Sequence, residues 1–273
     1  MNTIRTLIYN TAFYSSTLIL MLVALPVFLL PRKYGMWVMT CWSVLGRFWL
    51  RWLVGIKSEF RGTEHIIQGG CIVASQHQSA WDTFGMCALL HDQAIVIKKQ
   101  LLYIPLFGWY EKKFKLIAVR RDSRIHAMGD MVKQAKAAIK EERNILIFPE
   151  GTRRAPGAVP QYKSGIYFIY KRLNCPVVPA ALNSGLYWPR RDILNPPGTI
   201  RVEFLPAIPP GLPKKEFMSE LSQRIESASD RLLNESELEV PDNPLLKAAR
   251  ERQKQWQENG KTECAPEKPK TLT

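Results

Sequence analysis

His77 and Asp82 stand five residues apart in the stretch Ser75-Gln76-His77-Gln78-Ser79-Ala80-Trp81-Asp82-Thr83. A neutral imidazole can take a proton near neutral pH. A carboxylate bonded to one of its nitrogens fixes the tautomer and leaves the other nitrogen free for that task. On a regular helix such residues point about 140° apart, so the pair meets only if His77 stays in a loop while Asp82 enters a helix. The flanks allow this. Gly70-Cys71-Ile72-Val73-Ala74 is an apolar run of strand type, and Phe84-Gly85-Met86-Cys87-Ala88-Leu89-Leu90 reads as helix. The same residues also fit a capping box, with Ser79 as N-cap and Asp82 at the third position, in which case Asp82 only closes a helix end. The pair alone leaves both readings open.

A second group lies in Ile145-Leu146-Ile147-Phe148-Pro149-Glu150-Gly151-Thr152-Arg153-Arg154. The apolar run predicts a buried strand, and Pro149 and Gly151 force a turn at its carboxyl end, where α/β folds build their sites. Glu150 and Arg153 emerge there together, and an arginine fork suits a phosphate. A surface turn with a local Glu–Arg pair is the plainer alternative. Lys98-Lys99 and Arg120-Arg121 follow predicted strands, and Lys163 precedes a predicted helix, so some of these cations should converge at one sheet edge. Lys112-Lys113 and Arg190-Arg191 are left to a solvated face or to contact with anionic lipid.

Around these residues, strand-like and helix-like segments alternate. Strands are predicted at residues 71–74, 94–97, 116–119, 145–148, 177–182 and 200–204, and helices at 80–90, 125–142 and 165–173. Alternation of this kind predicts an α/β fold, a sheet flanked by helices. Further helices are expected at 215–233 and 243–258, and residues 260–273 have the composition of a disordered basic tail.

Ahead of the sheet, residues 11–30 carry no charge and would reach about 30 Å as a helix, enough to cross a bilayer core. Pro26 is expected to kink that helix. A cleaved signal peptide fits less well, because the run is long, only Arg5 precedes it and no A-x-A site follows. Residues 34–56 hold Trp37, Trp42, Trp49 and Trp52 with Arg47 and Arg51 on one helical face, the pattern of an interfacial helix. The expected organisation is therefore 1–56 as embedded and interfacial helices, 57–235 as the α/β domain, and 236–273 as a C-terminal helix and tail. The positive-inside rule places the domain on the cytoplasmic face of the inner (plasma) membrane.

The net charge of +14, from 38 basic and 24 acidic residues, implies an acidic partner. The five cysteines, Cys41, Cys71, Cys87, Cys175 and Cys264, show no CxxC spacing, which argues against a disulfide scaffold or a zinc site. No G-x-S-x-G elbow and no G-x-x-x-x-G-K-[ST] loop occurs, so a serine hydrolase of that type and a P-loop nucleotidase are set aside.

Taken together, the stretches resemble the glycerolipid acyltransferases, and most closely the 1-acyl-sn-glycerol-3-phosphate acyltransferases, over roughly residues 61–205. His77 and Asp82 match the family's H-x-x-x-x-D motif. Phe148 to Arg153 match F-P-E-G-T-R without change, and Val178-Pro179-Ala180-Ala181 match its fourth motif. Lys98 with Leu101-Leu102-Tyr103-Ile104-Pro105, and Tyr162-Lys163-Ser164-Gly165, match two further runs. The second motif is kept only in part: Arg121 takes the arginine position and Arg120 stands where aspartate is usual. Gln76 stands where asparagine often precedes the histidine.

The resemblance implies transfer of an acyl group from an acyl-CoA or acyl carrier protein thioester to the sn-2 hydroxyl of 1-acyl-glycerol-3-phosphate, giving phosphatidic acid. His77 and Asp82 would be catalytic, and Lys98, Arg121, Glu150, Gly151, Thr152, Arg153 and Lys163 would bind substrate. No metal, cofactor or nucleic acid is called for; membrane lipids are the expected surroundings. Two rivals remain. One is an acyltransferase for another lysolipid, such as a lyso-ornithine lipid. The other is a non-catalytic basic membrane-binding protein, which would leave His77, Asp82 and the Phe148–Arg153 turn without a role.

Overall fold

Apolar residues that alternate between two faces of one sheet organise the molecule. The computed structural model describes residues 2–90, 92–119, 124–190 and 197–263. The chain opens with α1 (Asn2–Val23), α2 (Arg32–Gly35) and α3 (Trp37–Trp49), the last continuing into a π-helical turn at Leu50–Val54. Then come β1 (Ile56–Arg61), β2 (Ile72–Ser75), α4 (Trp81–Phe84), β3 (Ala94–Lys98), α5 (Phe107–Lys113), β4 (Ile117–Val119) and α6 (Arg124–Lys140). The remainder is β5 (Ile145–Ile147), α7 (Gly165–Leu173), β6 (Val177–Leu182), β7 (Gly198–Phe204), α8 (Lys214–Glu239) and α9 (Pro244–Glu263).

The seven described strands form one sheet in the order β1-β7-β6-β2-β5-β3-β4. All neighbours are parallel except β6 and β7, which are antiparallel. This is the expected α/β sheet flanked by helices, and its antiparallel β6–β7 pair makes it mixed. Val73, Ile95, Leu146 and Val178 face one core, with α1, α3, α4, α5 and α9 packed over it. Ile72, Ala94, Ile145 and Val177 face the other, under α6, α7 and α8. Strands covered on both sides read as continuous apolar runs, which is why β2, β5 and β6 stand out in the sequence. β1 does not: it is an edge strand with Lys57, Glu59 and Arg61, and no strand was expected there.

Three expectations change. The helix expected at 80–90 is the four-residue α4, followed by tight turns. Trp81 packs so closely on Gly85 that a Cβ there would lie 2.4 Å from its ring. The Gly85 carbonyl accepts from Ser43 Oγ at 3.2 Å, and Cys87 and Leu89 donate three residues back rather than four, so the helix does not propagate. The first helix starts earlier and ends sooner than 11–30. Pro26 has no N–H for the Leu22 carbonyl, so it marks a helix end and a 3-10 turn (Leu25–Leu29) instead of a kink. Finally, residue 235 lies inside α8, so the boundary drawn there crosses a continuous helix.

The N-terminal helices are tied to the sheet domain. Trp42 Nε1 donates to Thr17 Oγ1 and Trp49 Nε1 to Ser16 Oγ, holding α1 to α3. Tyr9, Phe13 and Met39 join the same core as Val73 and Leu146. Arg32 pairs with Asp92 and Glu141, and Lys113 Nζ donates to the Phe28 and Leu30 carbonyls. The segment Ile4–Val23 is, by length and composition, able to cross a membrane.

Candidate active site

β2 and β5 are parallel neighbours, so the turns that leave their carboxyl ends meet. His77 follows β2 and Phe148–Arg153 follows β5. The two turns are laced together: His77 N donates to Glu150 Oε2 at 3.2 Å, and Arg154 N donates to the His77 carbonyl at 2.7 Å. The ring of Phe148 stacks on the His77 ring, centroids 4.2 Å apart, and fixes its tilt.

His77 Nδ1 lies 2.9 Å from Asp82 Oδ2. The same carboxylate oxygen accepts from Gln78 N at 2.7 Å and Ser79 N at 2.8 Å, while Oδ1 accepts from Ser184 Oγ at 2.5 Å. Asp82 is fully buried, and four donors meet its carboxylate, three at Oδ2 and one at Oδ1. Asp82 therefore braces the turn ahead of α4, whose N-cap is Ala80 and not Ser79, and holds His77 as well. Ser79 Oγ accepts from Trp81 N and Asp82 reaches back to Ser79 N, yet that oxygen also holds the imidazole. With Nδ1 engaged, the other ring nitrogen of His77 is left to the cleft that the residue lines.

That cleft, of about 460 Å³, is lined by His77, Lys98, Phe148, Gly151, Arg153 and Lys163 among others. Lys98 ends β3, whose carboxyl end lies at the same edge of the sheet. Gly151 has φ +68°, a conformation that suits glycine, and Lys163 Nζ lies so near that a Cβ on Gly151 would sit 2.9 Å from it. The adjacent arginines divide their work. Arg154 donates to Gln161 Oε1 and the Val159 carbonyl, away from the cleft, whereas Arg153 lines it.

Two expected substrate contacts are placed elsewhere. Glu150 lies behind the turn, in a small polar cavity with Gln76, Gln78, Arg154 and Glu226. Burial, with Asp82 and Glu226 nearby, pushes its carboxyl up to about 8 against the opposing bond from His77 N. Thr152 is half-buried in the turn and outside the cleft wall. Arg120 and Arg121 lie outside the described residues. The sequence reading missed Ser184 and Gln78. Ser184 follows β6, the parallel neighbour of β2, so the rule that strand ends converge pointed to it. Gln78 braces the same corner: its Nε2 donates to the Leu182 carbonyl and its Oε1 accepts from Gly185 N.

An acyltransferase family model matches residues 57–183, which span both turns, the cleft cations and β6, and end just before Ser184. A 1-acyl-sn-glycerol-3-phosphate acyltransferase of Pseudomonas aeruginosa is 37% identical over 180 residues, covering 66% of this chain and 70% of that one. The chain belongs to this acyltransferase family. The mouse 1-acyl-sn-glycerol-3-phosphate acyltransferase alpha is 28% identical over 58% of this chain, which spans 57% of that relative's length. In fold, the family member is similar to the crystal structure of the 1-acyl-sn-glycerophosphate (LPA) acyltransferase of Thermotoga maritima. The TM-score is 0.72 over 85% of this chain and 98% of that one, at 21% identity. The chain is thus an O-acyltransferase by family.

Proposed function

We propose that this acyltransferase esterifies the sn-2 hydroxyl of 1-acyl-glycerol-3-phosphate with an acyl group from a thioester, forming phosphatidic acid. The observation that carries the reading is the His77–Asp82 pair opening on a cleft lined by Lys98, Arg153 and Lys163. The hydroxyl loses its proton to His77 as its oxygen attacks the thioester carbonyl. Asp82 holds the ring and offsets the imidazolium charge, and the imidazolium then protonates the leaving thiolate. The three cations hold the acceptor's phosphate, and binding energy from that non-reacting group orients the hydroxyl against His77. Glu150 acts from behind, through the His77 backbone, and not on substrate. An apolar cavity bounded by α1, α3 and α5 shares Thr83, Ile97 and Leu101 with the cleft and offers room for the acyl chain.

The donor is acyl-CoA or acyl carrier protein, and the surroundings are a membrane. α1 exposes Leu7, Tyr14, Leu18 and Ile19, and the next helices expose Trp37, Phe48 and Trp52. Tyr103 and Trp109 are exposed on the sheet domain too, and α5, which carries Trp109, is tied to the N-terminal segment by the Lys113 contacts to Phe28 and Leu30. Residues 1–56 then act as the membrane-facing unit, with the domain at the cytoplasmic face of the inner membrane. Protease treatment of sealed vesicles of both orientations tests the side.

The acceptor is tested by comparing 1-acyl-glycerol-3-phosphate, its dephosphorylated form and a lyso-ornithine lipid with one thioester donor. Turnover should need the phosphate. Equal kcat/KM for the three acceptors would contradict the phosphate clamp.

A further inference from the structure

The apolar cavity beside the cleft measures about 130 Å³. It opens where Thr83, Ile97 and Leu101 are common to both. Its depth follows β3: Ile95 lies on the same strand face as Ile97, about 7 Å farther from the catalytic end. Met39, Phe114 and Leu116 wall the cavity as well. Thr17, Trp42, Thr83 and Tyr110 also line it, but their polar side-chain atoms bond within the fold. Glu111, on α5, is 4% exposed, and its Oε2 has no hydrogen-bond partner. Burial pushes its carboxyl up to about 7, so the neutral acid, able to donate as well as accept, is well populated near neutral pH. A buried polar atom left without a partner is costly to the fold. Neither the dyad nor the cleft cations use Glu111.

We propose that Glu111 reads a polar substituent on the acyl chain: the cavity favours a chain carrying a hydroxyl at the depth of Glu111 over an unsubstituted chain of equal length. This rests on the acyl-transfer reading of the cleft. An alkyl chain that fills the cavity displaces water and leaves the Glu111 carboxyl unpaired, whereas a hydroxyl pairs with it. A purely apolar wall discriminates weakly between such chains. A wall with one unsatisfied polar group rejects the chain that fails to pair with it.

The experiment uses the full chain, 1-acyl-glycerol-3-phosphate, and acyl-CoA thioesters of one carbon number. The chains are unsubstituted or carry a single hydroxyl at successive positions. Within each enzyme, the ratio of kcat/KM for each isomer to that for the plain chain is measured. The wild type should prefer one isomer by about ten-fold or more. Glu111→Leu should abolish that preference, and Glu111→Gln, whose amide also donates and accepts, should keep most of it. A ratio near one for every isomer in the wild type overturns the proposal whatever the variants do. A preference that survives Glu111→Leu overturns it too. If the wild type transfers no acyl group from any thioester, the acyl-transfer reading fails, and this proposal with it.

Discussion

Asp82→Asn separates the charge of the carboxylate from its geometry. The amide oxygen can keep the place of Oδ2, accepting from His77 Nδ1, Gln78 N and Ser79 N. The amide nitrogen then replaces Oδ1, where Ser184 Oγ can turn from donor to acceptor. The loop should therefore keep its shape, with its bonds to backbone weakened by loss of charge. The chemistry should not survive as well. When His77 takes the hydroxyl proton, an imidazolium forms with Nδ1 only 2.9 Å from the carboxylate. Two unit charges about 4 Å apart at an effective dielectric constant of about 20 attract by about 4 kcal/mol. That equals about three orders of magnitude in rate. His77 is partly open to the cleft, and solvent there screens some of this, so the expected loss in kcat is about 10²- to 10³-fold. The assay is steady-state acylation at saturating acceptor and donor, with Tm measured alongside. A kcat within ten-fold of wild type, at matched folding, would show that Asp82 serves the helix end alone.

Three further outcomes follow from the same geometry. Ser184→Ala leaves buried Asp82 Oδ1 without its donor and should lower kcat about ten-fold and reduce Tm, read by the same two assays. Burial pushes the Glu150 carboxyl up to about 8, well above the usual carboxylate range, so the folded state holds a proton that the unfolded state releases. Its contribution is full below the unfolded pKa and is lost as pH rises through about 8; Glu150→Gln, which cannot ionise, should flatten the fall in stability across that window in denaturant titrations. Arg153→Ala should lower kcat/KM strongly for the phosphate-bearing acceptor while leaving the donor KM little changed, and Arg153→Lys should recover only part because it lacks the planar fork; equal losses for phosphorylated and dephosphorylated acceptors would return Arg153 to a structural role.

The positions of His77, Asp82, Lys98, Arg153 and Lys163 were legible because the site is made of turns at the carboxyl ends of parallel strands. Apolar runs such as Ile145–Ile147 announce those strands, and parallel pairing brings their ends to one edge. The direction of Glu150 was not legible. It depends on how the Pro149–Gly151 turn folds against His77 N, a tertiary contact between residues 73 apart. The short α4 was hidden for a similar reason: Ser43, on a distant helix, takes the Gly85 carbonyl. β1 was hidden because an edge strand with half-exposed charged residues lacks the apolar run of a central one. Ser184 lacked a motif of its own and becomes visible only once β6 is placed beside β2.

The central claim is that His77 transfers the proton of the acceptor hydroxyl. The most direct measurement is formation of phosphatidic acid from 1-acyl-glycerol-3-phosphate and an acyl thioester, by wild type and His77→Ala in matched membranes. Mass spectrometry reads the product, and acceptor binding is measured in parallel. Wild type should acylate at sn-2, with turnover in His77→Ala lowered about 10²- to 10⁴-fold while the phosphate-bearing acceptor still binds. Near-normal turnover in His77→Ala, or wild-type membranes that acylate no lysolipid, would contradict it.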